Sequence, residues 1–235
     1  MYRELASCIR AEVDIVASEN LKRFFKTGKG EYGEGDMFLG LKSAQVGEIV
    51  KRFRDLPFAD CIKLLHSKYH EERMIALGIL VSRYKRAKSE TEKKIIFDIF
   101  LKNTKYINNW DLVDANVEHV IGDYLYDKEK DTLYVFAKST LLWERRIAII
   151  STFNYIKRGE YKETLKIAKM LMHDKHDLIH KAVGWMLREV GKRCDEKVLT
   201  DFLNEYATKM PRTMLRYSIE RLPKDKYYYY LKLKK

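Results

Sequence analysis

The stretch IHKAVGWMLREVGKR, residues 179–193, decides the fold. Val183, Met186, Leu187 and Val190 recur at spacings of three and four with charged residues between them, the pattern of an amphipathic α-helix. Two earlier segments share its form. ERMIALGIL (72–80) and RRIAIISTF (145–153) open on a basic or polar pair and continue into small and apolar residues, as HKAVGWMLR (180–188) does. Arg146 and Lys181 are 35 residues apart (181 − 146), and Arg73 and Arg146 are 73 apart (146 − 73), about two such steps. WDLVD, residues 110–114, fills the step between them, and RTMLRYSIERL, 212–222, is a shorter final copy. A period in the mid-thirties built from helix pairs predicts an all-α solenoid of HEAT-like repeats, in which each unit buries its apolar face against its neighbours.

The rest of the chain fits helices. There are only three prolines, and five of the 11 glycines fall between Gly28 and Gly40. KDTLYVF (130–136) could pass as a strand but is flanked by helical sequence. No linker rich in Pro, Gly or Ser divides the 235 residues, so the expectation is one continuous domain, 1–235. Cys8, Cys61 and Cys194 are far apart and form no CxxC pair, which argues against a disulfide framework or zinc finger and for reduced, buried thiols. The N-terminus is too charged for a signal peptide, and no apolar run approaches the roughly 18 residues that span a bilayer. The expectation is a soluble, cytoplasmic protein with no membrane association.

The net charge of +12, from 46 Lys and Arg against 34 Asp and Glu, points to a polyanion partner. Against that background, Trp110 and Asp114 stand out: at helical spacing they place an aromatic face and a carboxylate on one side of a helix. Lys181, Trp185 and Arg188 likewise share a helix face, an aromatic ring between cations of the kind that nucleic-acid surfaces use. Arg145 and Arg146, with Lys157 and Arg158, extend the basic character.

Three other patterns invite readings that do not survive inspection. Gly28, Gly30 and Gly33 match GxGxxG, but LKRFFK before them reads as helix rather than strand, and Glu31, Glu34 and Asp36 would repel a pyrophosphate. A turned loop between helices is the expectation, with no nucleotide cofactor. His176 and His180 have the spacing of HExxH, yet no third ligand is evident; the segment reads as a helix start with Asp174 or Asp177 as N-cap, and no metal is expected. His66 and His70 lie in strongly polar sequence that reads as a loop or solvated helix end. The tyrosine-rich end, KDKYYYYLKLKK (224–235), reads as a last helix capping the array.

RFFKTGKGEYGEGDMFLG, NWDLVDANVEHVIGDYL, WERRIAII and IHKAVGWMLREVGKR resemble, in order and spacing, the AlkD-type DNA alkylation repair glycosylases. The resemblance runs from about Leu21 to Arg193. It implies a right-handed α-solenoid of HEAT-like repeats, curved so that a concave basic face holds duplex DNA, and removal of cationic purines such as 3-methyladenine and 7-methylguanine. The family's WxxxD positions match Trp110 and Asp114, its essential arginine matches Arg146, and its second tryptophan matches Trp185, with Arg188 as a phosphate contact. Lys181 and Arg145 join the DNA-binding set. The family's N-terminal aromatic, often tyrosine, falls at Phe24, with Phe25 as the alternative alignment, and Trp143 is the structural tryptophan. The chain is expected to act as a monomer on double-stranded DNA with alkylated bases. A non-catalytic relative that binds bent or branched DNA is the alternative, and a protein-interaction scaffold a third.

The chemistry agrees with that implication. A glycosidase ordinarily needs a second carboxyl group to protonate a neutral leaving group. A base alkylated at a ring nitrogen already carries a positive charge, so one carboxylate suffices to stabilise the developing sugar cation.

Overall fold

The computed structural model describes residues 1–233. The chain groups into two compact units, Met1–Asn116 and Val117–Lys235. No strand occurs among the described residues, as the helical periodicity requires. The first unit contains α1 (Tyr2–Ala11), α2 (Ile15–Phe24), α3 (Ser43–Arg52), α4 (Phe58–Leu65), α5 (His70–Arg86), α6 (Glu90–Lys102) and α7 (Trp110–Asp114). The second opens on a π-helical turn, Glu118–Gly122. It continues through α8 (Asp123–Leu125), α9 (Asp131–Ala137), α10 (Leu142–Ser151), α11 (Phe153–Lys157) and α12 (Lys162–Leu171). α13 (Asp177–Arg193), α14 (Glu196–Tyr206), α15 (Arg212–Ile219) and α16 (Lys224–Lys232) complete it. KDTLYVF falls almost wholly in α9, and the tyrosine-rich segment forms α16; its last residues, Lys234 and Lys235, lie outside the described residues.

The segments singled out by periodicity become the central helices. In the first unit α5 packs against α3, α4, α6 and α7, burying Ile75, Ala76, Leu77, Ile79 and Leu80 completely. In the second, α13 packs against α10, α12, α14 and α15 through Ile179, Ala182, Val183, Met186, Leu187 and Val190, all at 0% exposure. Gly184 lets α13 approach α15 closely: a Cβ there would stand 2.5 Å from the Met214 carbonyl oxygen.

The repeat also has a hydrogen-bond signature. The Ser67 side chain accepts the Tyr69 N–H, and its carbonyl accepts Arg73 Nη1 at 3.0 Å. Ser139 does the same with the Leu141 N–H and Arg145 Nη1. Asp174 accepts the His176 N–H, and its carbonyl pairs with His180 Nε2. In each case the residue two ahead is the helix N-cap and the residue six ahead the fourth residue of the helix: α5, α10 and α13 in turn. The spacings, 72 (139 − 67) and 35 (174 − 139), reproduce the period read from apolar residues.

Several local expectations need correction. The N-cap of α13 is His176, whose Nδ1 accepts the Leu178 N–H; Asp174 instead closes the preceding turn and Asp177 is the first helical residue. Only Cys61 of the three thiols is buried, and burial pushes it up to about 12; Cys8 and Cys194 are half-buried. Among the described residues, no helix is long and apolar enough to cross a membrane.

Candidate functional site

The first unit holds Phe24, Trp110 and Asp114. α2 ends at Phe24, so Phe24 and Phe25 leave its C-terminus on successive residues and diverge. Phe24 is 63% exposed and meets Trp110 edge-on, ring centroids 6.1 Å apart. Phe25 is buried and stacks on Trp110 at 5.4 Å and on Phe38 at 5.0 Å. Both alignments of the N-terminal aromatic therefore touch Trp110, Phe24 from the solvent side and Phe25 from the core. Trp110 begins α7 and Asp114 ends it, both half-buried, while Leu112 and Val113 anchor the turn at 0% exposure.

Beneath this turn lies a buried ionic cluster that sequence inspection missed. His70 is no solvated residue: it opens α5 at 3% exposure. Its Nδ1 lies 3.2 Å from Asp36 Oδ2 and its Nε2 2.8 Å from Asp111 Oδ2. An ionised carboxylate only accepts, so the imidazolium form, with a proton on each ring nitrogen, satisfies both contacts. Burial works to lower the His70 pKa, but hydrogen bonds to Asp111 and Asp36 and the charges of both carboxylates outweigh it and raise the value. Asp36 also pairs with buried Arg73 and accepts Asn109 Nδ2 at 3.4 Å. Burial works to raise the Asp36 pKa; the His70 hydrogen bond and the Arg73 charge prevail and lower it. Two cations and two carboxylates balance, which is what burial of charge demands. The rings of Phe25 and Phe38 flank His70, at 4.9 and 4.7 Å.

The Gly-rich loop is closed on itself. Gly28 N–H donates to Glu31 and Gly30 N–H to Glu34, each at 2.9 Å, so amides that could cradle a phosphate are occupied by the loop's own carboxylates. Gly33 packs where a Cβ would stand 2.5 Å from the Phe25 carbonyl oxygen, which brings the loop against the end of α2. Asp36, at the loop's end, is the structural lock just described.

The second unit holds the remaining expected residues. Lys181, Trp185 and Arg188 are half-buried at successive turns of α13. Lys181 pairs with Asp177 at 2.7 Å, and Arg188 pairs with Glu220. Trp185 leans on Phe153, centroids 5.6 Å apart, and Lys157 and Arg193 lie over the Phe153 ring at 4.4 and 5.3 Å. Phe153 and Arg193 belong to this aromatic and cationic group, and a reading confined to one helix face omits them. Arg146 is only 5% exposed and its Nη1 donates to the Leu178 carbonyl at 2.5 Å. Arg145 is committed internally, to Asp174 at 2.6 Å and to the Ser139 and Thr140 carbonyls. Trp143 is half-buried at the start of α10. Among the described residues no group of three or more His, Cys, Asp or Glu is placed to hold a metal.

An all-α protein with a repeated helix-start unit, a net charge of +12 and half-exposed tryptophans set among charged groups is consistent with a helical-repeat fold and with a polyanion partner. More particularly, residues 7–222 match the model of the DNA alkylation repair enzyme family, and the chain belongs to that family. Membership gives it a role as an enzyme of DNA alkylation repair, with DNA as substrate. It is also similar to a solved structure, a predicted DNA alkylation repair enzyme from Enterococcus faecalis, at 16% identity and TM-score 0.70. The match covers 91% of this chain and 98% of that one, and at such identity it is a likeness of fold. No curated protein matches the chain.

Proposed function

We propose that the protein is a monofunctional alkylpurine DNA glycosylase, hydrolysing the N-glycosidic bond of 3-methyladenine and 7-methylguanine in duplex DNA. The observation that carries this reading is the α7 turn, which sets Asp114 one turn from Trp110 with exposed Phe24 against the Trp110 ring. Asp114 stabilises the positive charge that develops on the sugar as the cationic base departs, and no general acid is required. Trp110 and Trp185 present π faces to the sugar and backbone. Arg146 fixes a phosphate and thereby the distance to the sugar. Lys181 and Arg188 bind the backbone: their partners Asp177 and Glu220 are exposed or nearly so, such pairs contribute at most about 1 kcal/mol, and phosphates can replace them. Action as a single-domain monomer in the cytoplasm is part of the same reading.

The test is release of 7-methylguanine from duplex DNA under single-turnover conditions. Asp114→Asn is expected to slow release by about 10²–10³-fold, the cost of one lost electrostatic contact to the transition state, with DNA affinity nearly unchanged. A wild-type protein that binds this DNA and releases no base refutes the glycosylase reading and favours a non-catalytic DNA binder.

A further inference from the structure

α7 is five residues long, too short to hold a fixed orientation by its own backbone bonds. Its rotation about the helix axis comes from outside. Asn109, the N-cap, accepts the Trp110 N–H and reaches Asp36 with its amide; Asp111, the second helical residue, reaches His70. On a helix Asp111 and Asp114 are roughly 60° apart around the axis, so pinning the first aims the second. The pin is itself immobile. The His70 N–H donates to the Met37 carbonyl at 2.8 Å, the ring lies against Phe25 and Phe38, and Arg73 ties Asp36 to α5.

We propose that His70 is a positioning residue for the catalytic turn: its imidazolium, held by Asp36 on one side and Asp111 on the other, fixes α7 and so the direction of Asp114. The catalytic consequence rests on the glycosylase reading; the mechanical one does not. The charged groups near His70 are Asp36 at the loop end, Glu71 and Arg73 on α5, and Asp111 on α7. Glu71 is turned away, its carboxylate taken by the Leu39, Gly40 and Leu41 amides. Arg73 stays charged at any working pH, so His70 is the cation in this cluster that can lose its charge as pH rises. When the ring loses a proton only one nitrogen can still donate, so the Asp111 contact is either lost or kept without its charge, and the link between α5 and α7 weakens in both cases. The lock is therefore fully formed below the ordinary histidine range and opens as pH rises through the raised His70 value.

Amide hydrogen exchange of residues 110–116, expressed as protection factors across pH, reads the lock without any substrate. In the wild type, protection of α7 should fall about tenfold or more as pH rises through the His70 titration, the change expected on losing one charge-assisted hydrogen bond. In His70→Gln, and in Asp111→Asn, which leaves the Asp36, His70 and Arg73 contacts in place, protection should already be low and independent of that titration. The rate of 7-methylguanine release should fall by a similar factor in both variants, while the dissociation constant for DNA stays within about twofold. Unchanged α7 protection in Asp111→Asn, or a loss spread evenly over α3 to α6, overturns the proposal. A release rate equal to wild type in a variant whose α7 is loosened also overturns it. Absence of base release by the wild type sinks the glycosylase reading alone, and the exchange data then decide the lock by themselves.

Discussion

Arg73 in the first unit and Arg188 in the second both lie on long central helices rich in buried residues, α5 and α13, yet their surroundings differ. Arg73 is 3% exposed and pairs with Asp36, which is 4% exposed at its side chain. Arg188 keeps 19% of its side chain accessible, and its partner Glu220 keeps 50%. The Arg73 pair is buried within a network that also takes in His70, Asn109 and the Ser67 carbonyl, so its function is to hold shape. The Arg188 pair sits at the surface, where water and phosphate compete for both members, so its function is open to exchange. In a basic protein, the cations that can exchange a carboxylate for a phosphate at little cost to the fold are accordingly sought among the weakly paired ones.

Substitutions can test that contrast. The largest effect is expected at Asp36. Asp36→Ala leaves Arg73 and His70 buried without their shared carboxylate, at a cost of about 3–5 kcal/mol, whereas Glu220→Ala should cost under about 1 kcal/mol. Thermal unfolding compares the two, and equal losses would erase the distinction. Next come the paired phenylalanines. Phe25→Ala removes a stacked core ring at about 3 kcal/mol, while exposed Phe24→Ala should change stability by under about 1 kcal/mol. If Phe24 meets DNA, its alanine variant loses affinity without losing stability; both quantities can be read from one preparation by melting and by titration with duplex. The smallest effects concern single cations. Lys181→Ala and Arg188→Ala should each weaken DNA binding and reduce the slope of log affinity against log salt by about one, with melting temperature almost unchanged. An unaltered slope in both would remove α13 from the DNA-binding surface.

What the sequence revealed follows the same division. α5, α10 and α13 were legible because burial of a helix face writes itself into consecutive residues at a spacing of three and four, and because the pattern recurs. That Trp110 and Asp114 share one helix, and Lys181, Trp185 and Arg188 another, was legible because each group lies within two turns. The Asp36, His70, Asp111 and Arg73 cluster was not. His70 stands 34 residues from Asp36 and 41 from Asp111, and nothing local distinguishes a charge that will be buried from one that will be solvated. The polar segment around His70 reads as surface for that reason, and the Gly-rich loop gave no sign that Asp36 faces inward while Glu31 and Glu34 serve its own amides. Arg145 shows a side chain whose internal contacts the sequence does not display. Beside Arg146 it reads as part of a DNA-binding patch, yet its guanidinium is taken up by Asp174 and two turn carbonyls.

The turns closed by Ser67, Ser139 and Asp174 carry a consequence for how the chain reaches this state. Each joins residues only two and six positions apart, so the loop it closes is among the cheapest in entropy that a chain can make, and such closures take well under a microsecond. The start of each central helix can thus be set by its own segment before any neighbouring helix is present. During synthesis, α5, α10 and α13 would emerge with their first turns already registered, and the long-range tie from Asp36 through His70 to Asp111 would form only after α7 has left the ribosome.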